Sequence, residues 1–301
     1  MYIIKIPATT ANLGAGYDVM GMALAYYNYV QVEEGDFAIQ IEGNGAKTLS
    51  LTGSNLIYRA AEAAFELAGK PMPKLKFILT NNIPLARGMG SSSVAIVGGI
   101  MAANAVMDGA IDDDALLDLA VRLEGHPDNV APTFFGGFVV CAKEKDKYYY
   151  HKNIISDDLK AIIAVPDFLM PTKLSRSVLP DKVPVKDAVY NISHAVMVAL
   201  ALAEGDLALF GTMLNDRIHQ HHRFGLIKGA ADVVKAALSA GAIGCVLSGA
   251  GSSMVAFADA KVMDDAQISA IGDNMRNAFA KNGIESYVIV TGIDNYGARV
   301  E

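Results

Sequence analysis

Two hydrophobic periods succeed one another along this chain: short apolar or alternating runs of strand type, then stretches in which apolar residues recur every three to four positions. YIIKI is a strand-like run that gives way to the small polar residues of PATTANLGAGYD, and a β-rich run resumes from Tyr26 to Val32. FAIQIEG alternates as another strand. Ser54 is placed as the N-cap of a helix through LIYRAAEAAFELA that stops at Gly69, and LKFILTNNIP returns to strand. Beyond PLARGMGSSS, Val94, Val97, Met101 and Ala105 keep helical spacing. Gly98, Gly99, Ala102 and Ala103 allow close approach, so a buried helix is predicted there. A second helix is expected from Asp112 to Leu123, and EGHPDNVAPTFFGGFVVCA reads as a loop, a glycine turn and a strand.

The polar stretch KEKDKYYYHKNIISDD precedes the apolar run LKAIIAVPD, which places a domain boundary near residue 155 and divides the chain into 1–155 and 156–301. In the second part, helices are predicted at Asp187 to Ala203 and at Leu207 to His219, the latter with Leu207, Phe210, Leu214 and Ile218 on one face. AIGCVLSGAGSSMVAFA reads as a hairpin about a glycine turn, and a last helix and strand close an α+β unit.

Composition narrows the possible functions. Among 301 residues, 52% are hydrophobic, ample for a buried core. Lys and Arg number 25 against 32 Asp and Glu, with no basic block, so nucleic acid is not an expected partner. Cys141 and Cys245 lie in apolar runs without metal-ligand spacing and read as buried free thiols. The N-terminus lacks the pattern of a signal peptide, and no window reaches the ~18 apolar residues of a membrane span. A cytoplasmic protein without a membrane partner is therefore expected.

Four segments carry candidate chemistry. In RGMGSSS, Gly88 and Gly90 permit close backbone approach to a ligand, and Ser91, Ser92 and Ser93 stand where a helix begins, beside unpaired N–H groups. This is an anion site without the lysine of a Walker loop, or else a glycine-serine helix entry that binds nothing. ANLGAGYDVMG is not followed by the long helix of a dinucleotide fold, and its Asn12 and Asp18 are either turn-makers or displayed polar groups. LEGHPDNV gathers Glu124, His126, Asp128 and Asn129 in one loop. A single carboxylate such as Glu124 can hold a phosphate-bound Mg²⁺, and solvation explains it equally. His219, His221 and His222 do not share one helix face, which argues against zinc. Thr172, Arg176 and Arg223 could together clamp a small carboxylate.

PATTANLGAGYD, PLARGMGSSSVAIVGG, EGHPDNVAP and LSGAGSSMVAF stand in the order and spacing of the three GHMP-kinase motifs, together with a loop typical of homoserine kinases. The whole chain resembles that family. The resemblance implies an α+β, two-domain GHMP kinase fold, with an N-terminal ribosomal protein S5 domain 2-like domain and a C-terminal ferredoxin-like domain. It further implies ATP and Mg²⁺ in the cleft, with Pro84, Leu85, Ala86, Arg87, Gly88, Met89, Gly90, Ser91, Ser92 and Ser93 around the phosphates. The implied reaction is transfer of the γ-phosphoryl group to the side-chain hydroxyl of L-homoserine, a step toward threonine, and the implied assembly is a homodimer. Carried over by position, Glu124 and Ser92 would bind Mg²⁺. Asn12, Asp18, His126, Asn129, Thr172, Arg176 and Arg223 would surround homoserine, Asp18 meeting its ammonium and the two arginines its carboxylate. The turn from Gly249 to Gly251 would close over substrate and phosphate.

Two departures matter. The third motif usually reads GAGPT; here Ser252 replaces the proline, which should loosen the turn. Other GHMP kinases carry a lysine where this chain has Thr9 or Thr10, and homoserine kinases resemble it in lacking one. Phosphoryl transfer asks mainly for positioning and charge neutralisation. Of the candidate catalytic residues His126, Asp128 and Asn129, Asn129 is accordingly expected to orient the hydroxyl, with the proton passing to the γ-phosphate and Asp128 mainly structural. An acceptor other than an amino acid, or a ligand sensor that has lost catalysis, are the competing readings.

Overall fold

The computed structural model describes residues 1–145 and 147–301 and is built on two sheets. Residue 146, within the polar stretch before residue 155, lies outside the described residues. The first sheet begins with β1 (Tyr2–Ala11) paired antiparallel to the long β2 (Met20–Glu34). Pro7 lacks an N–H to give the ladder, and the register shifts between Pro7 and Ala8. The last residues of β2 pair with β4 (Leu75–Asn81), which carries β3 (Ala38–Gly43) in parallel on its far side. Only the first three residues of β2 pair with β5 (Phe138–Glu144), which forms a hairpin with β6 (Lys147–Asn153).

Helix α1 (Leu56–Leu67) and helix α2 (Ser91–Val106) cover this sheet, followed in the chain by α3 (Asp113–Glu124) and α4 (Pro127–Phe135). Two glycines fix how tightly α2 packs. A Cβ on Gly98 would meet Ile6 and Val30 of the sheet at 3.1 and 3.2 Å, and one on Gly99 would lie 2.2 Å from the Ile57 carbonyl oxygen of α1. The helix is thus held between two neighbours.

The second sheet has the order β10–β7–β9–β8, all antiparallel, built from β7 (Leu159–Pro166), β8 (Gly244–Leu247), β9 (Met254–Asp259) and β10 (Ser286–Thr291). Between β7 and β8 run α5 (Thr172–Ser177), α6 (Val185–Glu204), α7 (Leu207–Met213), α8 (Gln220–Phe224) and α9 (Ala230–Ser239); α10 (Asp265–Lys281) links β9 to β10. Successive side chains of β7 alternate between faces. Ile162 and Ala164 pack with α9 and α10, whereas Ala161, Ile163 and Val165 join the apolar core of the first sheet together with Val198 of α6 and Phe210 of α7. A two-residue strand, β11 (Arg299–Val300), returns the chain end to β1.

Several sequence expectations are corrected. The N-cap of α1 is Asn55, whose side chain accepts from the Ile57 N–H, and not Ser54. EGHPDNVAP is not a loop: Pro127 opens α4 at a position where its missing N–H costs nothing. The helix expected from Leu207 to His219 ends at Met213, because the Asp216 carboxylate accepts the N–H groups of Ile218, His219 and Gln220 and starts α8. By length and mean hydropathy α6 could cross a membrane, although Lys186, Asp187, Asn191, Ser193 and His194 interrupt its apolar residues. One face of it, through Asn191, Val198, Ala201 and Leu202, is buried in the protein. Both cysteines are buried and free, as expected, and burial pushes each thiol up to about 12.

Substituting Gly99→Ala tests the α1–α2 packing. Overpacking against a backbone oxygen should lower unfolding free energy by about 1–3 kcal/mol, measured by urea denaturation.

Candidate active site

The glycine-serine segment turns sharply because Ala86, Gly88 and Gly90 all have positive φ, and Gly90 caps α2 with Ser91, Ser92 and Ser93 in its first turn. Its backbone oxygens are held by protein donors. The N–H of Met170 binds the Ala86 oxygen at 2.9 Å, that of Ser253 the Arg87 oxygen at 3.2 Å, and that of Thr9 the Met89 oxygen at 3.3 Å. The Ser248 hydroxyl binds the Gly88 oxygen at 2.6 Å. With its carbonyl groups tied down, the loop leaves the N–H groups of the α2 N-terminus for an anion, at the positive end of the helix.

At one side of this terminus stands Glu124, the last residue of α3, accepting from the Ser92 hydroxyl at 2.7 Å and the Ser93 hydroxyl at 3.0 Å. Gly125, at φ 93°, then turns the chain into α4. His126 shares a 2.7 Å contact between its Nδ1 and Asp128 Oδ1, and the Asn129 amide nitrogen lies 3.4 Å from the same oxygen. The amide oxygen of Asn129 accepts from the Thr9 hydroxyl at 2.7 Å. Burial disfavours a charged His126, but the bond and charge of Asp128 outweigh it and raise its pKa.

Another part of the site is cationic and anionic at once. Arg176 makes a bidentate pair with Asp18, both contacts at 2.8 Å, and donates to the Tyr17 hydroxyl. Arg223 is almost wholly buried, its Nη1 3.2 Å from both the Gly249 oxygen and His219 Nδ1. The Tyr17 ring meets both guanidinium groups, 5.6 Å from Arg176 and 5.1 Å from Arg223, so one aromatic ring serves two like charges. Asn12 locks the floor: its amide donates to the Gly249 oxygen and accepts from the Asp18 N–H, in a turn where both residues take positive φ.

These groups line one cavity of about 180 Å³. It brings together Asn12, Asp18, Thr172, Arg176, Arg223, Gly249 and Gly251 with Ala86, Gly88, Gly90, Ser91, Ser92, Glu124, His126, Asp128 and Asn129. Other expected residues turn elsewhere. Arg87 points away, its guanidinium bound to the Pro166 oxygen and to Asp167; Met89 is packed in the core; Pro84 is buried. Ser93 is buried on Glu124, and Leu85 lines a second cavity. Ser252 does not loosen its turn, because it is fully buried and donates to the Phe168 oxygen at 2.8 Å. Among the described residues no His, Cys, Asp and Glu cluster suits a metal; His219 is buried while His221 and His222 are not.

Sequence reasoning missed Thr9, Tyr17 and the buried role of His219. It also missed the second cavity, about 410 Å³ and lined by residues such as Asn28, Leu49, Asn55, Ile57 and Asn81, which meets the first at Ala86, Ser91 and Ser92. Tyr17 sits between Gly16 and Asp18 and could have been read as part of that turn, but the second cavity's lining is scattered over several elements and has no local signal.

An anion-binding helix start between two cavities, on this pair of sheets, is the arrangement of a GHMP kinase. Residues 55–137 match the GHMP kinases N terminal domain and residues 198–281 the GHMP kinases C terminal family. The chain is 41% identical to a homoserine kinase of Moorella thermoacetica over 100% of both proteins, and 38% identical to one of Persephonella marina over 99% of this chain and 97% of that protein. The crystal structure of homoserine kinase from Cytophaga hutchinsonii aligns with a TM-score of 0.89 at 30% identity, covering 100% of this chain and 97% of the other. The chain belongs to the homoserine kinase family.

His219 supplies a pH test of the Arg223 mount. Its Nε2 faces the Gly14 oxygen at 2.8 Å and so carries the proton, leaving Nδ1 to accept from Arg223; burial holds its pKa below 6.5. A depressed histidine pKa means the unfolded chain binds the extra proton first. The stability it confers is complete above pH 6.5 and is lost as pH falls below it, by up to ~1.4 kcal/mol per pH unit. Urea denaturation of His219→Gln should therefore show a flatter loss of stability from pH 7 to 5 than the unaltered protein.

Proposed function

We propose that this protein transfers the γ-phosphoryl group of ATP to the side-chain hydroxyl of L-homoserine, giving O-phospho-L-homoserine. The observation that carries the reading is the charge layout of the smaller cavity. A carboxylate and two guanidinium groups in its lining suit the ammonium and carboxylate of an amino acid, and Asn129 lines the same cavity beside Gly90 at the start of α2. A non-amino-acid alcohol would leave Arg223, which has no carboxylate of its own, without an anionic counterpart. The larger cavity, apolar with asparagine amides, fits the nucleoside, and Ala86, Ser91 and Ser92, shared by both cavities, fit the phosphates.

Glu124 with the Ser92 hydroxyl suits Mg²⁺, a hard cation that takes one or two protein oxygens together with phosphate oxygens and water. Bound there, the ion would neutralise charge on the phosphates. Asn129 orients the acceptor hydroxyl, the α2 N-terminus receives the phosphate, and Asp128, tied to His126 and buried, holds that histidine and Asn129 in place. The hydroxyl proton leaves to the γ-phosphate, since the transition state of this transfer needs little from a base. The assignment of Leu85, Ala86, Gly88, Gly90, Ser91 and Ser92 to ATP, and of residues 1–155 and 156–301 to separate units, belongs to the same reading. So do a cytoplasmic location and a homodimer, to be checked by cell fractionation and by sedimentation of the purified protein.

ADP release with Mg·ATP should be largely confined to L-homoserine when it is compared with L-serine, L-threonine, D-homoserine and mevalonate. ATP binding without turnover of any of them would overturn the kinase reading in favour of a ligand sensor.

Two substitutions separate the roles. Glu124→Gln should lower kcat by roughly 10²-fold or more and weaken the response to Mg²⁺. Asp128→Asn should cost about tenfold or less; a loss of ~10³ with KM preserved would make Asp128 the base instead.

A further inference from the structure

We infer that Thr9, a residue that does not touch the cavity, is a positioning residue for phosphoryl transfer: its hydroxyl sets the direction of the Asn129 amide. The inference rests on the acceptor role given to Asn129 above. Thr9 lies on β1 and is fully buried. A carboxylate can only accept, so the side of the Asn129 amide that faces Asp128 must be its nitrogen, and its oxygen must face Thr9. The single hydroxyl proton of Thr9 is then committed to that oxygen at 2.7 Å. Thr10, pointing to the other face of the strand, has its hydroxyl 3.0 Å from that of Ser248 instead.

The same residue ties the amide to the phosphate loop. The Thr9 N–H holds the Met89 oxygen, and Gly90 packs so closely that a Cβ there would lie 2.0 Å from the Thr9 hydroxyl oxygen and 3.2 Å from the Asn129 amide oxygen. The loop that receives the phosphate and the amide that aims the attacking hydroxyl thus share one point of reference. Losing the hydroxyl frees the amide to rotate, and a misaimed nucleophile slows the transfer without weakening either substrate's binding.

Thr9→Val keeps shape and strand preference while removing the donor. It should lower kcat by about tenfold or more with KM for ATP and for L-homoserine within about twofold, while Thr9→Ser should retain most of the activity. In an Asn129→Ala background, itself impaired, Thr9→Val should change kcat less than about twofold. Wild-type kcat in Thr9→Val while Asn129→Ala is impaired would overturn the inference alone. So would equal losses in Thr9→Val and Thr9→Ser, or a Thr9→Val loss undiminished in the Asn129→Ala background. An unimpaired Asn129→Ala, or no turnover of L-homoserine by the unaltered protein, would instead sink the acceptor-site reading beneath it. Urea midpoints identify a folding failure, in which case Thr9→Ala replaces Thr9→Val.

Discussion

The site depends on two glycine turns from distant parts of the chain meeting backbone to backbone. A Cβ on Gly88 would stand 2.1 Å from the Ser248 oxygen, and one on Gly249 would be 3.3 Å from the Gly88 oxygen. Because no side chain intervenes, the Ser248 hydroxyl reaches Gly88, the Ser253 N–H reaches Arg87, and the Arg87 guanidinium reaches the end of β7. These bonds hold the start of α2 against the second sheet. A cavity lined from both the α2 start and the two arginines follows from that contact.

Charge is then placed against the grain of the molecule. A chain of net charge −7 gathers two arginines at one small cavity and buries one of them. Burial pulls the pKa of Arg223 down, and its partners are carbonyl oxygens, a neutral histidine and the Tyr17 ring rather than a carboxylate of its own. Arg176 is less buried, and Asp18 more than offsets the cost to its charge. A guanidinium without an ionic partner in a pocket keeps an unspent attraction for an anion, which is the physical basis for reading this part of the cavity as the carboxylate seat.

Where local sequence and structure part, a longer-range bond is responsible. The run from Leu207 to His219 keeps a helical apolar face, yet Asp216 takes three backbone N–H groups, bonds Asn191 of α6, and restarts the helix. That restart turns His219 inward onto Gly14 and carries Arg223 to the cavity. Ser252, expected to slacken its turn in place of a proline, is secured by a bond to Phe168, far away in sequence. Asp128 and Asn129 were expected in a loop, but they follow Pro127 in α4, which is helical through Pro132.

Hydrophobic period, glycine placement and the four polar segments by themselves determined the strands and most helices, the candidate anion site at the start of α2, the family, and nearly all residues that line the smaller cavity. These are properties of neighbouring residues, and neighbours are what a linear pattern records. Only the tertiary structure decided that Arg87 and Met89 turn away, that Thr9 and Tyr17 contact residues of the site, and that a second cavity adjoins the first. Each depends on pairs far apart in the chain, such as Thr9 with Asn129 and Arg87 with Asp167, whose meeting is set by packing of whole elements.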